Sequence, residues 1–141
     1  MNMPIVPMYW WFALVEDKNL YQEYTGLAAF TRDENRHDLS PSQFDPPENH
    51  LRVYVLQGRK RTLAWAFDRD YYLTPTENLV PKLQKGIKLN LPAPAEGACQ
   101  VEIWDPTAGK ILSTLSLKPD KGKVTVPLPD FQRHIACKLL P

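Results

Sequence analysis

The residues able to do chemistry in this chain are scattered along it. Of the three histidines, His37 sits in the consecutive run Arg36, His37, Asp38, a polar stretch that reads as solvated chain. His50 and His134 each stand alone beside an alternating segment, with no G-x-S-x-G or other nucleophile motif around them. Cys99 and Cys137 make no CxxC pair and have no histidine at metal-ligand spacing, so a zinc site is not expected. Each cysteine shares parity with apolar neighbours (Cys99, Val101, Ile103; Ile135, Cys137, Leu139), which points both thiols inward. Free thiols are favoured over a disulfide. Asp68 and Asp70 flank Arg69 but lack the further oxygen ligands of a calcium loop. No metal and no cofactor is assigned. The 16 acidic residues fall mostly in turns or point outward from strands, and none lies in a run that would raise its pKa by apolar burial.

Two tryptophans have a definable parity. Trp104, with Gln100 and Glu102, lies opposite Val101 and Ile103; this leaves it either a solvent-side aromatic for carbohydrate or protein contact or, the favoured reading, a cap on one end of a core. Trp65 shares parity with Leu63 and Phe67 and is read as core. The basic run Gly58, Arg59, Lys60, Arg61 reads as a solvated turn.

The elements that must position these residues change character along the chain. The 141 residues suffice for one sizeable core. A net charge of +1 offers no basic field for a phosphate backbone, so nucleic acid is not an expected partner. Residues 4–15, PIVPMYWWFALV, form a continuous apolar run of the kind found in a strand buried on both faces. This start lacks a basic n-region and a small-residue cleavage site, and Glu16 and Asp17 end it before it could span a bilayer. No membrane partner is expected, and no compartment is assigned. LYQEYTGLAAF follows with Leu20, Tyr24, Leu27 and Ala28 at helical spacing. Residues 1–40 are thus read as strand plus helix, the polar, proline-bearing 41–49 as a linker, and 50–141 as a separate β domain. In the last, LRVYVLQ and KRTLAWAF around Gly58–Arg59 form a hairpin, and KGIKLNL, ACQVEIWD, KILSTLSLK, GKVTVPL and HIACKLL bring the total to about seven strands, as in a sandwich or small barrel. WDPTAGK supplies a turn through Pro106 and Gly109, and DRDYYLTPTENLVPKLQ a longer loop that accommodates a helical turn.

The succession PMYWWF, DKNLYQEYTGLAAFTRDENRHDL, YVLQGRKRTLAWAFDRDYY, VEIWDPTAGKIL and LPDFQRHIACKLL resembles the C-terminal part of (β/α)8-barrel glycoside hydrolases. These are cellulase-like and mannanase-like proteins, among them a group whose C-terminal β-sandwich carries a "collagen-binding" label. The resemblance implies a mostly-β protein: an immunoglobulin-like antiparallel sandwich preceded by a counterpart of the last βα unit of a barrel. Glycoside hydrolysis uses two carboxyl groups across the scissile bond, which in such barrels come from strands upstream of Met1. The implied function is therefore a non-catalytic accessory module that stabilises or positions a carbohydrate-active protein, the alternative being a carbohydrate- or matrix-protein-binding module with exposed aromatics. By the same resemblance Trp10 and Trp11 are candidate sugar platforms, although simple packing is the favoured reading, and Glu16 stands where barrels place site residues, at the end of a strand, although a helix-start acid is the favoured reading. With Trp104 these are the candidate ligand contacts. The expected partners are a polysaccharide, the barrel of a related hydrolase, or a second copy through residues 4–15. Parent proteins of this kind are often secreted.

Overall fold

The computed structural model describes residues 12–35, 37–73, 80–94 and 99–141. The protein is mostly β, and its strands pair antiparallel throughout. The strands are β1 (Ser40–Phe44), β2 (Leu51–Gln57), β3 (Thr62–Asp68), β4 (Lys88–Pro92), β5 (Cys99–Asp105), β6 (Lys110–Leu117), β7 (Lys123–Pro127) and β8 (His134–Leu140). Helices α1 (Phe12–Asp17) and α2 (Thr25–Thr31) flank a 3-10 turn at Leu20–Tyr24, and α3 (Arg69–Leu73) follows β3. Six strands form one sheet in the order β1-β2-β3-β8-β5-β6, and β4 and β7 form a second.

Alternation builds the interior between the two sheets. Leu51, Val53 and Val55 of β2, Ala64 and Ala66 of β3, Val101 and Ile103 of β5, and Ile135, Cys137 and Leu139 of β8 point to one side. There they meet Leu89 and Leu91 of β4 and Val124 and Val126 of β7 in a single cluster. Full burial of an aliphatic side chain is worth about 1.5–3 kcal/mol, so this layer dominates stability. Cys99 and Cys137 lie in it as free thiols, and burial pushes the Cys137 thiol up to about 12, leaving it protonated and unreactive at neutral pH.

The opposite side of the six-stranded sheet is also covered. Phe30 of α2 packs on Leu63 of β3 and Ala136 of β8, with Leu39, Leu56, Trp65 and Trp104 around them. The helix reaches the sheet at the β5–β6 turn: a Cβ built on Gly26 would stand 1.5 Å from the Pro106 carbonyl oxygen. Only glycine permits that approach. The turn itself is closed by Asp105, whose Oδ1 accepts from the amides of Thr107 (2.8 Å) and Ala108 (3.0 Å), and by Gly109 at φ +63.

Four expectations are corrected. The apolar run read as a strand over residues 4–15 is helical from Phe12 onward; its earlier part lies outside the described residues. An unbroken apolar run carries no period to distinguish the two. The helix face drawn through Leu20, Tyr24, Leu27 and Ala28 is not the one buried, since Tyr24, Leu27 and Ala28 are exposed while Gly26 and Phe30 are sealed. The stretch 41–49, read as linker, carries most of β1, which pairs with β2 from Ser40↔Gln57 to Phe44↔Val53. Trp65 keeps the expected parity with Leu63 and Phe67, but that parity faces the helical layer and not the interior between the sheets.

Candidate functional site

The helical layer covers only part of the second face, and the remainder is a groove of about 750 Å³. Its floor is the outward parity of the strands: Tyr54 of β2, Trp65 and Phe67 of β3, and His134 of β8. One wall is Tyr24 and Leu27 at the start of α2; the others are Tyr72 and Leu73 of α3 and Pro106 and Thr107 of the β5–β6 turn.

Each wall is fixed by local chemistry. Buried Asp68 ends β3 and caps α3, its Oδ1 accepting from the amides of Asp70 (2.9 Å) and Tyr71 (3.4 Å) while its Oδ2 accepts from Gln84 Nε2 at 3.1 Å. The cap turns Tyr72 back over the sheet, where its ring meets Phe67 edge-on at 5.6 Å and stacks on His134 at 6.0 Å. Tyr54 leans on Phe67 at 5.5 Å, and Trp65 meets His134 at 5.6 Å and Phe30 at 5.6 Å, both edge-on. Arg133, just before His134, adopts φ +60, a left-handed conformation that costs a non-glycine residue about 1–2 kcal/mol. Its carbonyl accepts from the Asp68 amide at 2.8 Å and its guanidinium lies 5.3 Å from the Tyr71 ring centre, so this contorted entry into β8 is held from both sides.

His134 joins the walls. Its Nδ1 is 3.0 Å from the Tyr72 hydroxyl and its Nε2 is 2.9 Å from Thr107 Oγ1. A neutral imidazole has one donor and one acceptor nitrogen, so one of those hydroxyls donates to the ring and the other accepts from it. Burial lowers the His134 pKa below the ordinary histidine value, Asp105 opposes that shift and Arg133 adds to it. The ring is therefore held toward its neutral form.

Behind the groove the helical segment is tied down by charge. Glu34 Oε1 accepts from Lys138 Nζ at 2.8 Å, and Arg61 Nε stands 2.6 Å from Glu34 Oε2 as an ion pair without hydrogen-bond alignment. Lys138 also lies over the rings of Phe30 (5.3 Å) and Trp104 (5.2 Å), a cation enclosed by a carboxylate and two aromatic faces.

The candidate contacts named from sequence do not converge here. Trp10 and Trp11 lie outside the described residues. Glu16 does not end a strand; it lies in α1, exposed, accepting a hydrogen bond from the Tyr21 hydroxyl. Trp104 neither faces solvent freely nor caps the interior: it is half-buried beneath α2, edge-on to Phe30 at 5.8 Å, with Nε1 donating to Glu102 Oε2 at 3.0 Å. The groove residues Tyr54, Trp65, Phe67, Tyr72, Thr107 and His134 were not singled out as ligand contacts. One signal did exist, because β2 and β3 carry apolar residues at both parities, large ones opposite Ala64 and Ala66, and a strand apolar on both sides has both sides covered. Comparison with protein-family models, curated proteins and solved structures returned no match for this chain.

Proposed function

We propose that this chain is a non-catalytic accessory module of a glycoside-hydrolase-like protein and that its groove takes one face of a sugar ring. The observation that carries the reading is the make-up of the groove. Tyr54, Trp65, Phe67 and Tyr72 offer ring surface to the C–H face of a pyranose, while Thr107, His134 and the Tyr72 hydroxyl set polar groups at its margin. In this reading the sandwich is immunoglobulin-like, and the N-terminal segment is the counterpart of a barrel's last βα unit with its helix beginning at Phe12.

The test is affinity electrophoresis in gels containing soluble mannan or β-glucan. The wild-type chain is expected to be retarded, and Tyr54→Ala and Tyr72→Ala to migrate as in a polysaccharide-free gel. Equal mobility of all three in every polysaccharide would overturn the sugar reading. The accessory role further expects no release of reducing sugar by the repurified chain; turnover that survives repurification would remove it.

A second reading is favoured by one observation. Tyr24, Leu27 and Leu73, on the rim, remain 43–55% exposed and extend the groove into a wider apolar surface, which suits docking against a companion catalytic domain. Loss of retardation in the presence of such a domain separates docking from sugar binding.

A further inference from the structure

The two edges of the six-stranded sheet are built differently. β1 is short, interrupted by Pro41 and followed by Pro46 and Pro47, the usual means of keeping an edge from pairing with another chain. β6 begins with Lys110 and bulges at Leu112, but beyond the bulge its Ser113–Leu117 run, STLSL, contains no charge, no proline and no glycine. It is the last strand of the sheet, and among the described residues no backbone hydrogen bond reaches its outer side.

The core is also unfinished along β6. Ser113, Leu115 and Leu117 pair with Ile103, Val101 and Cys99, so they point toward the interior between the sheets, yet Leu115 and Leu117 are only half-buried where their β5 partners are sealed. β7 of the two-stranded sheet touches β6, yet it does not seal these leucines. Ile111 and Leu112 remain 46% and 52% exposed.

We propose that β6 is a self-association edge, on which a second copy of this chain adds its own β6 antiparallel to form one continuous sheet across the pair. The sequence commits the edge to itself. A register shift between Ile103 and Trp104 leaves Leu112 without a β5 partner, so the regular part of the edge is Ser113–Leu117, whose middle residue is Leu115. A two-fold axis at Leu115 sets this leucine against Leu115 of the second copy, Ser113 against Leu117, and Thr114 against Ser116. Every opposed pair then lies on a common face, no like charges meet, Leu115 closes on Leu115 of the second copy, and each Leu117 is covered by the facing Ser113. A backbone edge of this length hydrogen-bonds best to another strand, and this strand is uncharged along the run that would face its own reverse.

Sedimentation equilibrium of the full chain tests the proposal. The wild type is expected to move from 16.2 kDa toward twice that mass as concentration rises. Thr114→Lys with Ser116→Lys places lysines opposite one another twice across the axis, which weakens association by about tenfold or more and leaves the circular dichroism spectrum unchanged. Thr114→Glu with Ser116→Glu does the same alone, and an equimolar mixture of the two charged variants regains the dimer. A wild type that stays at 16.2 kDa at every concentration overturns the proposal, as does a dimer that both charged variants retain.

Discussion

The two faces of the six-stranded sheet are made by alternate residues of the same strands, and they differ in kind. Toward β4 and β7 stand Val53, Val101, Ile103 and Leu139, aliphatic and essentially inaccessible. Toward the helical segment stand Tyr54, Trp65, Phe67, Trp104, His134 and Lys138, aromatic or charged, and mostly half-buried. The aliphatic face packs without directional demands and gives stability. The aromatic face holds its residues by ring geometry, one histidine and an ion pair, and leaves a cavity. A sheet with one face closed over most of its width can leave aromatic surface open on the other, because the cost of that surface is offset by the aliphatic core beneath.

Removing volume from the closed face sharpens this contrast most. Leu139→Ala takes a fully buried side chain from the interior between the sheets, and the expected loss is about 4 kcal/mol in urea unfolding monitored by circular dichroism. Glu34→Ala comes next. It leaves Lys138 and Arg61 without their carboxylate at side chains only 10% and 20% exposed, and a loss of about 3 kcal/mol is expected in the same assay. If Glu34→Ala cost as much as Leu139→Ala, the aromatic face would be as central to folding as the aliphatic one.

Gly26→Ala acts on the seam between the layers. The new Cβ cannot coexist with the Pro106 carbonyl oxygen at 1.5 Å, so α2 must lift from the β5–β6 turn. We expect a loss of about 2 kcal/mol, in the range for overpacked sites, with tryptophan emission shifted to the red as Trp65 and Trp104 gain water and the strand signal kept. Loss of both signals in one transition would mean that the helical layer and the closed core are a single cooperative unit.

The closed face was the legible one. In LRVYVLQ, ACQVEIWD and HIACKLL one parity runs apolar, so with the Gly, Pro and Asp turns between segments the seven expected strands follow, and the inward parity of Cys99 and Cys137 follows from period. β1 was not legible, since SPSQF has no apolar alternation and is a strand because the β2 edge pairs with it. The α2 face was misjudged because contact distance, not side-chain size, decides it: Gly26 is buried for having no side chain, and larger Tyr24 and Leu27 stay outside. The groove gathers residues 24 to 134 from strands, a helix and a turn, and only Tyr54, Trp65 and Phe67 announced themselves, as large residues on the parity that a one-sided core would leave polar. His134 read as isolated because Tyr72 and Thr107 are distant in sequence and reach it only through the Asp68 cap and the Asp105 turn.

The smallest expected effect bears on the aromatic face alone. The folded-state pKa of His134 lies below its ordinary value of 6.5, chiefly through burial. Between the two values the unfolded chain binds more protons than the folded one, so stability from this residue is complete above pH 6.5 and declines as pH falls through 6.5 toward the lowered folded value, below which it levels off. Urea midpoints measured from about pH 8 to about pH 5 are expected to fall in the wild type and to fall less in His134→Gln, which does not titrate. Asp105 limits the size of the effect by favouring the imidazolium. Parallel pH profiles for the two proteins would show that the groove is open enough to solvate the ring in both states, and the aromatic face would then be a surface with no enclosed site.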